Sequence, residues 1–350
     1  MSNTPILHIL IPDLLQALKL WHQDFGFTPE SNNSASLLSR SQRKQVPFSG
    51  LDASLFSLLG FPADTELPIA HYRAKKDRLT PVLQEHKGAI LCADPVHLKA
   101  GASEIIMDTH TFGDLSAEEA DSLLAVLNQH FAEDGLQFIK GASNRWYLLL
   151  DADDSIRTTP LRDLRGKDIA KHLPQSDHIK LHTIQNEIQM LLHSAELNQQ
   201  REQAGKLSVN SLWLWGGGSH LKARTRVRSV IGGGIQGEIA ATVAECRYLA
   251  SAIEPEETLS QLPAGGHHLL ILDQLTAFAL QDDLEGWQQQ LNKLETTWLA
   301  PAEKLFNRGK LTLLLHDCNG SSFIPEKSNK LKQLWKVITQ DKPNLMELVK

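Results

Sequence analysis

The residues of this chain best equipped for chemistry lie at the ends of short apolar runs. His316-Asp317-Cys318 follows the run Leu311 to Leu315, and imidazole, carboxylate and thiolate can all ligate a transition metal. The competing reading, which we prefer, has His316 facing the core and Asp317 capping a turn with Asn319-Gly320. Gly265-Gly266-His267-His268 opens a strand. Neighbouring strand residues point to opposite faces, so this pair cannot chelate one ion from a regular strand. Gly232 to Gly237 satisfies G-x-G-x-x-G. The acid that should end the next strand, Asp273, comes roughly 35 residues later, too far for a dinucleotide fingerprint. Asp151-Ala152-Asp153-Asp154 lacks the bidentate glutamate of a calcium loop and reads as a solvated turn. Lys222, Arg224, Arg226 and Arg228 alternate. They read as a solvated edge that discourages sheet pairing in preference to an anion-binding wall.

One further feature concerns binding. Leu212-Trp213-Leu214-Trp215 reads as a strand that stops on Gly216, Gly217 and Gly218. Glycines at a strand end allow close backbone approach, and ligands of open α/β sheets sit at strand C-termini. Two readings stay open: a buried strand closed by a tight turn, and a binding edge floored by the glycines.

Composition narrows the class. With 350 residues the chain holds two domains or one large one. Its 41% hydrophobic and 22% charged content is that of a globular protein. A net charge of -6 supplies no general attraction to nucleic acid, which is not an expected partner. Cys92, Cys246 and Cys318 show no C-x-x-C spacing, which suits a reducing, cytoplasmic setting. The opening MSNTPILHILIPDLL reads as a first strand and not as a signal peptide, and no run is apolar enough to span a membrane.

The elements that would position these residues follow from periodicity. Leu7 to Ile11 reads as a buried strand and Leu14 to Phe25 as a helix; the serine-rich stretch 32–45 reads as a mobile loop. Asp52 to Leu59 reads as a helix closed by Gly60. Strands are expected at 89–93, 103–107, 136–139 and 146–150, around a helix opened at Ser116 by a capping box with Glu119. Thereafter helix and strand alternate: helix 178–204, strand 209–215, helix 238–252, strand 268–273, helix 283–306, strand 310–316 and a helix near 328–339. Trp287 and Trp298, eleven apart on one helix, are expected to face the core. Such alternation predicts an α/β fold with a mostly parallel sheet flanked by helices. We expect a core domain of residues 1–86 and 166–350, and an inserted smaller α+β domain of residues 87–165.

The stretch from Asn186 to Gly218 carries a resemblance. His193, Asn198, Arg201, Gly205, Leu207 and Asn210, then Gly216 and Gly218, fit the H-P-V-N-x-x-R-x-x-x-G-x-L-P-A-N pattern and following R-G-x-G strand end of archaeal-type cofactor-independent phosphoglycerate mutases. Those enzymes belong to the alkaline phosphatase superfamily. A closer resemblance, with the WLWGGG run included, is to the bacterial RpfE-type regulatory protein family, itself similar to those mutases. The resemblance implies an alkaline-phosphatase-like core.

It also implies where chemistry would lie. Such mutases use a serine or threonine nucleophile held against two divalent metals. The nucleophile falls on Leu51, with Ser49 and Ser54 nearby; two metal ligands fall on Thr276 and Leu280. The metal-binding Asp-His pair falls on His316-Asp317-Cys318, and the first ligand turn on Asp13. The substrate-binding arginine falls on Trp215. Leucines cannot serve as nucleophile or ligand. The expectation is therefore a non-catalytic descendant, a pseudoenzyme with a binding or regulatory role and no expected cofactor. Ligand-binding residues would be Arg201, Asn210, Trp213, Trp215, Gly216, Gly217 and Gly218, and the partner a small metabolite or an unidentified protein. In the alternative, an active mutase or phosphatase would use relocated groups: Asp13, Ser54 and Asp317 in catalysis, and Asp13, His316 and Asp317 on manganese or magnesium.

Overall fold

A computed structural model describes residues 4–349 except 32, 64, 102, 152–155, 178, 220–222, 251–253 and 328–343. The helix expected near 328–339, Lys222 and most of the acidic turn at 151–154 lie outside the described residues. The chain forms two compact units, one of residues 1–63 and 223–350, the other of residues 64–222.

The first unit is built on a seven-stranded sheet. Its order is Arg247–Leu249, Val227–Gly232, His267–Ile271, Ile6–Leu10, Thr312–His316, Asn319–Pro325 and Ser41–Ser49. The first five strands run parallel and the last two are antiparallel additions. The central runs are apolar on consecutive residues because both faces are covered, as a parallel sheet requires. On one face Leu7, Ile9, Leu270, Leu313 and Leu315 pack against Trp21, Trp287, Leu291 and Trp298. Both tryptophans expected in the core are buried.

Three local expectations change. Of the stretch 32–45 expected as a loop, the described residues form the helix Asn33–Ser39 and the start of the edge strand Ser41–Ser49. Their polarity is that of an edge, where Arg43, Lys44 and Pro47 discourage further pairing. The helix expected over 238–252 runs over Gly234–Val243 and gives way to the strand Arg247–Leu249. Helix 283–306 is broken by a π turn at Glu295–Leu299. There Glu295 is buried and accepts from the Ser34 backbone N–H at 2.9 Å and the Ser31 hydroxyl at 2.8 Å. Pro301, without an N–H to give, opens the next helix.

The second unit carries a four-stranded antiparallel sheet, ordered Leu136–Ala142, Arg145–Leu150, Ala89–Val96 and Ser211–Trp215. The helix Ala117–His130 starts at the expected capping box, Ser116 with Glu119. The expected helix 178–204 is two helices, Leu181–Ser194 and Glu196–Gln203, divided at Ala195, whose backbone is extended. The boundaries expected at 87 and 165 both fall inside this unit. The reason is a long-range pairing: Cys92 to Val96 pair in register with Trp215 back to Ser211. That pairing brings the tryptophan strand and both helices before it into the second unit. Trp213 and Trp215 therefore belong to an antiparallel sheet and are not a strand of the parallel one.

Candidate functional site

In the first unit, the residues that the resemblance ties to catalysis cluster in sequence around strand ends and a helix start. Asp13 occupies the turn after Ile6–Leu10 with φ +60°. Its carbonyl accepts from the Trp287 indole at 3.1 Å, and Trp287 meets Trp21 and Phe27 edge to face. Leu51, at the nucleophile position, is the first residue of the helix Leu51–Leu58 and is 1% exposed. Ser54 is buried one turn on; its N–H bonds the Gly50 carbonyl, and its own carbonyl accepts from the Ser57 hydroxyl.

Asp317 behaves as a turn residue. Its Oδ1 accepts the backbone N–H groups of Asn319 at 2.7 Å and Ser321 at 2.9 Å, closing the hairpin between Thr312–His316 and Asn319–Pro325. Cys318 takes the left-handed position of that turn, φ +55°, and its carbonyl accepts from Gly50 N–H at 2.8 Å. His316 points along the sheet. Its Nε2 lies 3.0 Å from His8 Nδ1 and its Nδ1 lies 2.8 Å from Ser322 Oγ. Burial pushes its pKa down to about 4.

These residues do not fit a pair of divalent metals. Among the described residues no three His, Cys, Asp or Glu side chains are arranged to hold one metal ion. Thr276 Oγ1 and Gln274 Oε1 are buried without a hydrogen-bond partner among the described residues. They are neutral oxygens of the kind a bound water satisfies.

In the second unit, the motif that carries the resemblance has structural duties. Asn198 is 2% exposed and ties its helix to the following strand. Its Nδ2 donates to the carbonyls of Leu192 at 2.6 Å and Val209 at 2.8 Å, while its Oδ1 accepts Val209 N–H at 2.9 Å. Arg201, also 2% exposed, spends its guanidinium on the Leu207 carbonyl, Glu119 and Asp114 at 2.8–2.9 Å. Burial opposes ionisation of both carboxylates, but hydrogen bonds from Arg201, Ser116 and His110 hold their pKa values below the usual range. Asn210 pairs with both backbone groups of Leu98 at 2.7 and 2.9 Å. Gly205 makes the turn between them at φ +71°.

The tryptophan strand is equally committed. Trp213 is fully buried and its indole donates to the Thr159 carbonyl at 2.8 Å. Trp215 is 5% exposed and donates to Asp94 Oδ2 at 2.8 Å. Asp94 also receives a bidentate pair from Arg73, both contacts at 2.7 Å, and the Arg73 guanidinium lies over the Trp215 and Tyr147 rings. Burial disfavours the Arg73 charge, yet Asp94 outweighs it and keeps the group protonated. Sequence reasoning missed this pair, and its 21-residue separation across a helix and a strand gave no signal. The glycines serve chain crossing. A Cβ at Gly218 would overlap the Glu66 carbonyl oxygen and one at Gly217 the Leu91 side chain; Gly216 needs φ +72°. Of the two readings of this strand end, the geometry is that of a buried strand closed by a tight turn. Arg201, Asn210, Trp213 and Trp215, expected as ligand-binding groups, have their polar atoms engaged within the protein.

Residues 83–198, all in the second unit, match the family model described as 2,3-bisphosphoglycerate-independent phosphoglycerate mutase. An enzyme of that name from Methanosarcina mazei is 25% identical over 227 residues, 62% of this chain and 53% of the enzyme. One from Methanosarcina barkeri is 30% identical over 184 residues, 49% and 42% of the two chains. A second form from Methanothermobacter thermautotrophicus is 34% identical over 123 residues, 33% and 30%. The chain thus spans about half or less of the length of the curated relatives it matches. A protein of solved structure from Pyrococcus horikoshii shares the fold, with a TM-score of 0.51 and 12% identity over 93% of this chain and 88% of that one. The chain is a distant relative of the 2,3-bisphosphoglycerate-independent phosphoglycerate mutases.

Proposed function

We propose that this protein is a non-catalytic relative of the phosphoglycerate mutases with a binding or regulatory role, of the RpfE type. One observation carries the reading. At the end of Thr312–His316, Asp317 Oδ1 accepts two backbone N–H groups, and both His316 ring nitrogens lie against His8 and Ser322. With the imidazole engaged, the second oxygen of one carboxylate is too small a donor set for a pair of dications bridging phosphoryl oxygens. A buried leucine at the nucleophile position points the same way.

The retained parts of the mutase pattern support a scaffold in place of a reaction. Asn198, Arg201 and Asn210 hold the second unit together. Rings as buried as Trp213 and Trp215 offer no stacking surface without opening the sheet. A small metabolite or a protein partner would be met by other surfaces. Cys92, Cys246 and Cys318 are in no disulfide among the described residues, which suits a cytoplasmic setting, and among the described residues no helix is long and apolar enough to cross a membrane.

The test is metal binding by the purified full chain. Equilibrium dialysis against manganese, followed by elemental analysis, should find well under one ion per chain at micromolar metal. Two ions per chain, lost together on Asp317→Asn, would overturn the reading in favour of an active enzyme with relocated ligands.

A further inference from the structure

The row Arg224, Arg226 and Arg228 in the first unit serves nothing described so far. All three side chains are exposed, while Thr225 between them is half-buried and Val227 is buried. That alternation is the pattern of an extended chain, with arginines on one side and anchors on the other. The anchors fix the backbone. Thr225 Oγ1 donates to the Leu58 carbonyl at 3.4 Å and accepts the Val227 N–H at 3.1 Å. The Arg226 carbonyl accepts from the His267 N–H at 3.1 Å. The Arg224 carbonyl packs so close to Gly60 that a Cβ there would come within 2.7 Å of its oxygen.

An edge guard is the reading that the sequence favours for these arginines, and the sheet removes the reason for it. Val227–Gly232 has Arg247–Leu249 on one side and His267–Ile271 on the other, so it is not an edge strand. Arg247–Leu249 pairs only from Ser229 onward; ahead of that point the Val227 N–H is already closed by Thr225. The arginines also lack partners of their own. Arg40, Arg73, Arg145 and Arg201 each hold a carboxylate, whereas Arg224, Arg226 and Arg228 hold none among the described residues. Like charges about 6.6 Å apart on one side of an extended chain repel until water or an anion takes them up.

We infer that Arg224, Arg226 and Arg228 are a docking row for an acidic protein segment in extended conformation, with carboxylates at alternate positions. Acids two apart on such a segment share one side and repeat at the same spacing of about 6.6 Å. Each guanidinium then meets one carboxylate, in the fork geometry that the pair favours. A single-stranded nucleic acid fits less well. The net charge of -6 opposes a long polyanion, and the side chains between the arginines, Thr225 and Val227, offer no ring on which a base could stack. The row stands at the start of Val227–Gly232, the opposite end of the parallel strands from Asp13 and Asp317. The inference rests on the binding role proposed above and gives that role a surface.

Fluorescence anisotropy of a labelled peptide of alternating glutamate and threonine, titrated with the purified full chain at about 20 mM salt, tests this. The peptide should bind about tenfold more tightly to the unaltered chain than to Arg224→Gln/Arg226→Gln/Arg228→Gln, the product of three exposed ion pairs of ordinary strength. It should also bind more tightly than a peptide of the same composition with its glutamates in one block, and more tightly than an oligothymidylate of equal charge. If the triple variant does not fold, Arg224→Gln/Arg226→Gln, which leaves the strand unaltered, should lose about fivefold. No binding up to about 1 mM peptide, equal affinity for the unaltered and substituted chains, or equal affinity for both peptides overturns the inference. Tighter binding of the oligothymidylate overturns it in favour of nucleic acid. The dialysis experiment decides separately whether the chain is an enzyme, so either reading can fail alone.

Discussion

Asn198→Ala is the sharpest test of whether the mutase-like motif is structural. The side chain is 2% exposed and makes three hydrogen bonds of 2.6–2.9 Å, all to backbone groups of Leu192 and Val209. Val209 is itself fully buried. Truncation therefore removes three bonds at about 1 kcal/mol each and strands one buried N–H, which costs about 1–3 kcal/mol more. Partial relaxation brings the sum to roughly 3–5 kcal/mol. Urea unfolding followed by tryptophan fluorescence is suitable, since Trp146, Trp213 and Trp215 report on the second unit. With a slope of about 2 kcal/mol/M the midpoint should fall by roughly 1.5–2.5 M. A loss below about 1 kcal/mol would refute the reasoning, because an asparagine whose removal costs the fold nothing is available for a ligand.

Further outcomes follow from the same geometry. Arg73→Met should destabilise by about 3–5 kcal/mol by leaving the buried Asp94 without its bidentate partner, the Trp215 indole still donating to it; adding Asp94→Leu should recover part of that loss in thermal melts. Gly218→Ala should cost at least about 2 kcal/mol because its Cβ meets the Glu66 carbonyl, whereas Gly113→Ala, which meets nothing closer than 3.9 Å, should be near neutral in the same melts. Asp114 and Glu119 have folded pKa values below their ordinary ones, so their pairing with Arg201 contributes stability above the ordinary carboxylate range and loses it as pH falls through the folded values. Arg201→Met should accordingly flatten the acid limb of the stability profile below about pH 4.5.

The sequence was most legible where local physics decides. The runs around His8, His268 and Leu313 read as buried strands because both faces are covered. The Ser116 capping box and the Asp317 turn follow from residues a few positions apart. Long-range pairings hid the rest. The strand Val227–Gly232 was masked by the exposed, alternating arginines that lead into it, Arg224, Arg226 and Arg228. The edge pair Ser41–Ser49 and Asn319–Pro325 is too polar to announce itself. The boundary of the second unit depends on Ala89–Val96 meeting Ser211–Trp215 across more than a hundred residues of chain. His8 meets His267 and His316 from the far end of the sequence, and each histidine alone is an ordinary strand residue.

Conversion of 3-phosphoglycerate to 2-phosphoglycerate by the purified full chain, with manganese or magnesium supplied, tests the central claim most directly. With Leu51 at the nucleophile position and Asp317 committed to its hairpin, the rate should equal that of the protein-free control. Turnover on the order of 1 s⁻¹ or faster, within the ordinary range of enzymes, and abolished by Asp13→Asn or Ser54→Ala, would contradict the account.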